Sequence, residues 1–221
     1  MAKARVYFTR EITPQAMDRL YDALGIRLSG KTAVKISTGE PGGHNFLQPA
    51  LIGPLTERLH GTIVECNTAY EGRRNTTQEH WKAIQENGFL DIAPCDIMDE
   101  TGELALPVTN GMHLQENFVG AHLRNYDSML VLSHFKGHMM GGFGGALKNL
   151  GMGCASVGGK LELHSASQPI VDRDNCKSCN ICVKHCAHDA IHLDTDKIAT
   201  IDYDKCVGCG QCVALCQYDG A

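Results

Sequence analysis

Eight of the 11 cysteines in this 221-residue chain form two runs with the same spacing, C-x-x-C-x-x-C-x-x-x-C. This spacing suits a cubane [4Fe-4S] cluster, because three thiolates on one tight loop bind three irons and the fourth iron takes a more distant thiolate. In proteins with two such runs, the fourth cysteine of each run binds the cluster of the other run. We therefore predict one cluster on Cys176, Cys179, Cys182 and Cys216, and a second on Cys206, Cys209, Cys212 and Cys186.

The similarity between the two runs extends beyond the cysteines. A shift of 30 positions superposes four further pairs of identical residues: Asp172 and Asp202, Asp174 and Asp204, Val183 and Val213, Asp189 and Asp219. One unit used twice around a pseudo-twofold axis is typical of a bacterial-type ferredoxin domain, in which cluster binding and folding are coupled because the core is small. We predict such a domain over residues 166–221.

Two other chemistries also use paired cysteines. A tetrahedral zinc site needs only two C-x-x-C pairs, so zinc would leave the third and fourth cysteines of each run unexplained. Disulfides require an oxidising compartment, and the first ten residues contain no apolar stretch typical of a secretory signal. The remaining cysteines are expected to be small buried residues: Cys66, Cys95 and Cys154.

The formal net charge of −5 argues against nucleic acid as a partner. The predicted ferredoxin domain is acidic, with eight aspartates against five lysines and arginines, and each oxidised cluster with its four thiolates adds about −2. We therefore expect a redox partner protein with a basic patch to dock on this acidic face. No run is long and apolar enough for a membrane span, so we expect a cytoplasmic protein.

Upstream of the ferredoxin domain, apolar strands alternate with amphipathic helices. The pattern predicts strands over 3–9, 32–38, 62–68 and 128–135, and helices between Thr13 and Gly25, over 49–60, between Thr76 and Gly88, and over 146–150. This alternation indicates an α/β domain over residues 1–165, with a mostly parallel sheet covered by helices. Residues 89–127 predict one or two more strands and a short helix, and residues 156–160 and 165–171 predict a linker.

A glycine-rich segment follows the last predicted strand and contains Gly137, Gly141, Gly142, Gly144 and Gly145. Backbone amides that lack a neighbouring Cβ atom can bind an anion together with a helix N-terminus, and Lys136 and Lys148 would add positive charge. A tight turn that binds nothing would use the same glycines. His134, Lys136 and His138 are the candidate catalytic residues. The two histidines flank Lys136 and could transfer protons or bind a metal, although a core or turn histidine is the simpler interpretation of each one taken singly.

Three segments together resemble the family named domain of unknown function 362: GEPGGHNF (39–46), VECNTAYEGRRNT (64–76) and VLSHFKGHMMGGFGGALKNLGMG (131–153). Members resemble one another in having an α/β domain with a ferredoxin module, and the family has no settled activity. The resemblance implies a set of polar site residues by position: Lys35, Glu40, Asn67, Arg73, His134, Lys136, His138 and Lys148. Relatives usually continue past the ferredoxin module, whereas this chain ends five residues after Cys216; a truncated chain or a fragment would lack part of the site.

These features predict an iron-sulfur electron-transfer protein that forms the redox part of an oxidoreductase, with two [4Fe-4S] clusters as cofactors. Its α/β domain would bind either a small-molecule substrate that is anionic or carries a carbonyl group, or a nucleotide-like cofactor. One alternative is a non-enzymatic electron carrier, redox sensor or docking protein whose α/β domain binds a partner protein. A further alternative is a maturation or scaffold role with structural clusters.

Overall fold

The computed structural model describes residues 4–138, 142–165 and 168–220. Its α-helices are α1 (Pro14–Leu24), α2 (Pro49–Arg58), α3 (Thr77–Glu86), α4 (Ala146–Gly151), α5 (Val157–Ser165), α6 (Ile181–Lys184) and α7 (Gln211–Leu215). Its strands are β1 (Thr32–Lys35), β2 (Thr62–Glu65), β3 (Cys95–Ile97), β4 (Glu103–Pro107), β5 (Glu116–Gly120), β6 (Ser128–Val131), β7 (Lys136–His138), β8 (Gly142–Gly144), β9 (Ile191–Leu193) and β10 (Ala199–Ile201). None of these helices has the length and apolar character needed to cross a membrane.

The central sheet has the strand order β3-β2-β1-β6, and its three pairings are all parallel. Val34 in β1 pairs with Ile63 in β2 on one side and with Leu130 in β6 on the other. Parallel neighbours need crossover connections, and α2 and α3 supply these between β1, β2 and β3. The predicted α/β fold is therefore confirmed, with strands shorter than the sequence pattern suggested.

Side chains of β1 alternate between two apolar cores, one on each face of the sheet. Val34 packs with Ile63 and Phe89 in the larger core, and Ala33 packs with Val64 and Cys154 in the smaller one. Burial of both faces is typical of the central strand of a parallel sheet. It places Lys35, which has no exposed surface, inside the protein at the end of the strand.

Helix α1 begins and ends where the sequence predicts. Thr13 has extended backbone angles, and its hydroxyl accepts a hydrogen bond of 3.2 Å from the Ala16 amide. Pro14 occupies the first helical position, where its missing N–H is not needed. Gly25 ends the helix in the left-handed conformation at φ 65°, which glycine adopts without steric cost.

Replacing Thr13 with alanine should lower the free energy of unfolding by about 1 kcal/mol, because one amide in the first turn loses its side-chain acceptor. Thr13→Ser keeps the hydroxyl and is expected to retain most of the stability. Anaerobic urea denaturation followed by the fluorescence of the single tryptophan, Trp81, measures both variants. Equal losses in the two variants would contradict a capping role for this hydroxyl.

The predicted strand over 3–9 is wrong for residues 4–9, which are not in a strand, and residue 3 lies outside the described residues. Val6 and Phe8 are 88% and 81% exposed. A short apolar run is equally compatible with a buried strand and with an exposed extended segment. Here the chain enters the sheet first at β1, which pairs on both sides with later strands.

The linker predicted over residues 156–160 is also wrong, because residues from Val157 onward form α5. The Ser156 hydroxyl accepts a hydrogen bond from the Gly159 amide (3.0 Å) and so caps this helix. A Cβ atom on Gly159 would lie 2.0 Å from the Phe118 carbonyl oxygen. The glycine therefore permits close packing of α5 on β5, whereas the sequence pattern placed it in a linker. Residues 168–171 of the second predicted linker segment are irregular.

Residues 89–127 contain three strands, one more than the sequence analysis allowed. β3 joins the central sheet, and β4 and β5 form a separate antiparallel hairpin. The predicted short helix is present as a 3-10 helix (Ala121–Asn125).

The internal repeat of the C-terminal module is present in the backbone. Positive φ angles occur at equivalent positions of the two halves: Ser178 (55°) and Gly208 (67°), Asn180 (64°) and Gly210 (73°), Asp189 (48°) and Asp219 (53°). The short helices α6 and α7 follow at equivalent positions, and β9 and β10 form an antiparallel hairpin between the two cysteine runs. Each half therefore repeats one local conformation.

Candidate functional site

Two small cavities in the C-terminal module are each lined by four cysteines. Cys206, Cys209, Cys212 and Cys186 line the first cavity, and Cys176, Cys179, Cys182 and Cys216 line the second. Each cavity thus combines three cysteines of one run with the fourth cysteine of the other, which is the grouping that the spacing predicts. We call the first group the Cys206 site and the second group the Cys176 site.

The fourth cysteine of each run accepts a backbone hydrogen bond at an equivalent position. The Ala190 amide donates to Cys186 Sγ at 3.3 Å, and the Gly220 amide donates to Cys216 Sγ at 3.2 Å. An N–H donor stabilises a thiolate relative to a thiol. Such donors also tune the potential of a bound cluster. Both sites therefore offer polar support to their most distant ligand.

The four cysteines around each cavity match the number of ligands that a [4Fe-4S] cluster needs. Among the described residues, no three His, Cys, Asp or Glu side chains converge on one point that a metal ion would occupy. A cubane has no such requirement, because each thiolate binds a different iron at a separate corner. Burial raises the pKa of Cys212 to about 11, and the neighbouring Cys209 adds to this effect. A bound cation would offset this effect and favour the thiolate form.

A third and larger cavity, of about 390 Å³, lies where β1, β2 and β6 end; we call it the central cavity. The chain leaves β3 at one edge of the sheet and returns to β6 on the far side of β1. Ligands of open α/β sheets bind at such a switch point, outside the carboxyl ends of the strands. The volume is in the range of small-molecule sites.

One wall of the central cavity belongs to the ferredoxin module and consists of Cys209, Gly210, Gln211 and Ala214. A cysteine of the Cys206 site therefore lines the cavity of the α/β domain. His185 Nδ1 lies 3.0 Å from Glu71 Oε2 and joins the module to the loop after β2. The fold thus brings the cysteine site and the α/β cavity side by side.

Five of the eight polar residues implied by the family resemblance line the central cavity: Lys35, His134, Lys136, His138 and Lys148. The other three lie outside its lining. Glu40 accepts a hydrogen bond from Arg74 Nε (2.8 Å), and Asn67 donates to the Thr77 hydroxyl (2.9 Å). The Arg73 guanidinium is half exposed and pairs with Glu86 and Glu79 on α3.

Asn149 on α4 holds the Lys35 ammonium group in place. Lys35 Nζ donates to Asn149 Oδ1 at 2.8 Å and to the Ile36 carbonyl at 2.5 Å. Asn149 Nδ2 donates to the Leu132 carbonyl at 3.1 Å, which ties α4 to the end of β6. A Cβ atom on Gly153 would lie 2.7 Å from Lys35 Nζ, so the chain after α4 packs directly on the ammonium group.

The glycine-rich segment forms a small antiparallel hairpin of β7 and β8 in front of α4. Gly144 and Gly145 line the central cavity, while Gly141 lies outside the described residues. The Lys136 side chain is exposed on β7, and the Lys148 side chain is half-buried on α4. The two lysines therefore flank the cavity from both sides of the glycine segment, and anion binding by its amides stays a prediction.

A buried ion pair that the sequence analysis missed forms another wall of the cavity. Arg74 Nη1 lies 2.9 Å from Glu65 Oε1, and the exposed fractions of the two side chains are 6% and 7%. The Thr38 amide also donates to Glu65 Oε2 (2.9 Å), and His80 Nε2 lies 3.4 Å from the same oxygen. Burial opposes ionisation of Glu65, but the charges of Arg74 and Lys35 and the hydrogen bond with His80 together outweigh it and hold the pKa of Glu65 well below its usual value.

Lys160 on α5 is a second cavity residue that the sequence analysis missed, because it falls in the predicted linker. Its side chain is only 7% exposed, and Nζ donates to the Ala155 carbonyl. Burial lowers the pKa of Lys160. Burial and the charge of Lys136 likewise lower the pKa of Lys148, and burial and Lys148 lower that of His138. Positive groups thus crowd one another in the cavity.

These features define a class of protein, an α/β domain joined to an iron-sulfur module of ferredoxin type. Residues 199–220 match the 4Fe-4S binding domain. Residues 32–203, more than half of the chain, match the family described as domain of unknown function (DUF362), and the chain belongs to that family. The resemblance found in the sequence is therefore confirmed. No curated protein matches the chain.

Proposed function

We propose that this iron-sulfur electron-transfer protein is the redox part of an oxidoreductase whose ligand binds in the central cavity. One observation carries the proposal: Cys209 of the second cysteine run lines the same cavity as Lys35 and Lys136 of the α/β domain. A reducing centre on Cys209 would thus adjoin a bound ligand. We also propose the division at residues 165 and 166 into an α/β domain and a ferredoxin domain.

The two cysteine sites have different surroundings and, we propose, different roles. When bound, a [4Fe-4S] cluster supplies one-electron transfer. The Cys206 site faces the ligand through Cys209, whereas Cys179 of the Cys176 site is exposed. We assign the Cys176 site to the exchange of electrons with a redox partner protein. The aspartates around the module favour a partner with a basic patch.

Residues of the α/β domain would bind the ligand and supply a proton. Lys136 and Lys148 flank the cavity and suit a ligand with negative charge or a polarised carbonyl group. His134 Nδ1 is buried and has no hydrogen-bond partner among the described residues, so it is available to a ligand. Burial and the charges of Lys148 and Lys136 lower the pKa of His138, and we assign proton donation to His134 because of its unpartnered ring nitrogen in the cavity.

A second candidate function is an electron carrier or docking protein, and the hairpin of β7 and β8 supports it. The rings of Phe135 and Phe143 stack with centroids 5.5 Å apart, and they are 72% and 61% exposed. Leu147 nearby is 87% exposed. Exposed apolar patches frequently mark contacts between proteins. In this case the hairpin would contact the partner protein and the central cavity would hold no substrate.

Anaerobic native mass spectrometry of the protein as isolated separates the two functions. The oxidoreductase predicts the mass of two [4Fe-4S] clusters plus a bound small molecule. Lys136→Ala and His134→Ala should lose the small molecule and keep the clusters, because both side chains line the cavity and neither lies in the cysteine module. Clusters alone in the wild type, or the same extra mass in both variants, would favour the carrier and contradict the proposed ligand site.

A further inference from the structure

The central cavity carries a charge opposite to that of the protein as a whole. Its lining includes five formal cations, namely Lys35, Arg74, Lys136, Lys148 and Lys160, and a single carboxylate, Glu65. Arg74 already pairs with that carboxylate at 2.9 Å. Four ammonium groups therefore remain around one cavity in a chain whose net charge is −5.

These four lysines form no direct ion pair within the part of the chain that the structure describes, although the charge of Glu65 acts on Lys35 and Lys160 from a longer distance, as does that of Asp99 on Lys160. None of its ion pairs includes Lys35, Lys136, Lys148 or Lys160. Burial and the charge of Lys136 lower the pKa of Lys148. Like charges in a partly dehydrated cavity destabilise the folded protein unless an anion offsets them.

Two further polar groups of the cavity lack a partner. Thr68 is only 6% exposed, and its hydroxyl has no hydrogen-bond partner among the described residues. His134 Nδ1 is in the same situation, and both residues line the cavity. Unpaired buried polar groups are rare in proteins because each costs free energy. A ligand that accepts and donates hydrogen bonds here would satisfy both.

We infer that the central cavity binds a small organic ligand with at least two negative charges, held by Lys35, Lys136, Lys148 and Lys160. The cluster of ammonium groups favours a ligand with more than one negative charge, and the volume of about 390 Å³ leaves room for an organic body beside the anionic groups. Tyr70 and Met152 supply apolar surface for that body. The anion site itself does not depend on the proposed function. Only the identification of this ligand as the molecule that is reduced rests on that function.

Phosphoryl groups and multiple carboxylates share this chemistry, and calorimetric titration can distinguish them. Inorganic pyrophosphate, citrate and acetate are titrated into the cluster-loaded protein anaerobically at constant ionic strength. Pyrophosphate or citrate should bind at least about tenfold more tightly than acetate, since each charge-assisted hydrogen bond contributes about this factor. Tighter binding of pyrophosphate indicates a phosphoryl ligand, and tighter binding of citrate indicates a polycarboxylate.

Lys136→Gln and Lys148→Gln should each weaken binding of the preferred polyanion by about tenfold or more. Lys82→Gln removes the same charge from a surface residue that pairs with Glu79, and it should leave binding unchanged. Circular dichroism and iron content establish that each variant is folded. Acetate binding as tight as that of the polyanions, no binding of either polyanion, or equal weakening by Lys82→Gln would overturn the inference.

The outcome also separates this inference from the proposed function. If a polyanion binds through the two lysines but changes neither the electron paramagnetic resonance spectrum nor the potential of the reduced clusters, the anion site stands and the proposed redox role fails. If native mass spectrometry finds a neutral ligand in the cavity and no polyanion binds, the redox role stands and the inference fails.

Discussion

The double variant Cys179→Ala/Cys216→Ala is expected to retain about four irons per chain, whereas Cys179→Ala/Cys186→Ala is expected to retain almost none. Both variants lack two of the eight cysteines. In the first, both missing residues line one cavity, so the Cys206 site keeps its four ligands. In the second, each cavity loses one ligand. Iron and acid-labile sulfide per chain, together with the integrated spin signal after reduction, measure the difference.

The crossed arrangement would be contradicted by the reverse pattern, with more iron in Cys179→Ala/Cys186→Ala. That result would mean that each run binds a cluster with its own four cysteines. Equal iron contents in the two variants would also contradict the prediction. Cys95→Ala is the control, since Cys95 lies in the α/β domain on β3 and its loss should leave about eight irons per chain.

The features predictable from sequence are those fixed by local chemistry. Thr13 and Gly25 bound α1 because a side-chain acceptor and a left-handed residue are local requirements. The two cysteine runs were also predictable, since ligand spacing and a repeat of 30 residues can be found in the sequence itself. Alternating strands and helices gave the parallel sheet, because a parallel pairing needs a crossover connection.

The central cavity was less predictable because its residues meet only through the tertiary fold. The family resemblance drew attention to Arg73, yet it is the adjacent Arg74 that turns into the cavity and pairs with Glu65. Neighbouring residues of the same type cannot be told apart by a motif when a loop decides which one points inward. Lys160 was not predicted for a related reason. The two glycines before it allow close packing of α5, but in sequence such glycines resemble a linker.

The position of the ferredoxin module also emerges only from the structure. The two cysteine runs have the same spacing, so the sequence does not distinguish the site beside the ligand from the other one. Cys209 in the central cavity and the exposed Cys179 distinguish the two sites. The two halves of the repeat are otherwise equivalent, but they lie beside different neighbours. Under the proposed function, the packing of the module on the α/β domain therefore decides which cysteine site faces the ligand.

Replacing Arg74 with methionine should destabilise the folded protein by about 3–5 kcal/mol, because it leaves the Glu65 carboxylate buried without its main counter-charge. The side chains of the pair are 6% and 7% exposed, so solvent provides little screening. Glu65 also accepts a hydrogen bond from the Thr38 amide at the end of β1, and the loss should therefore loosen the cavity wall. Anaerobic urea denaturation measures the change in the free energy of unfolding.

Arg73→Met is the matched control for this prediction. Arg73 has the same side chain one position earlier, and its ion pairs with Glu79 and Glu86 are 39–49% exposed, so its loss should have little effect. A comparable destabilisation in the two variants would contradict the assignment of a structural role to the buried pair alone.

The destabilisation caused by Arg74→Met should also depend on pH. In the wild type, the pKa of Glu65 lies well below its usual value, so the carboxylate contributes stability at neutral pH and loses this contribution only as the pH falls through the folded pKa. Without Arg74, burial raises the pKa of Glu65 above the unfolded value of about 4.3, and the variant regains stability as acid protonates the carboxyl group. The difference between wild type and variant should therefore be larger at about pH 8 than at about pH 5.5. A difference independent of pH would mean that lost packing of the arginine side chain, and not an uncompensated charge, accounts for the destabilisation.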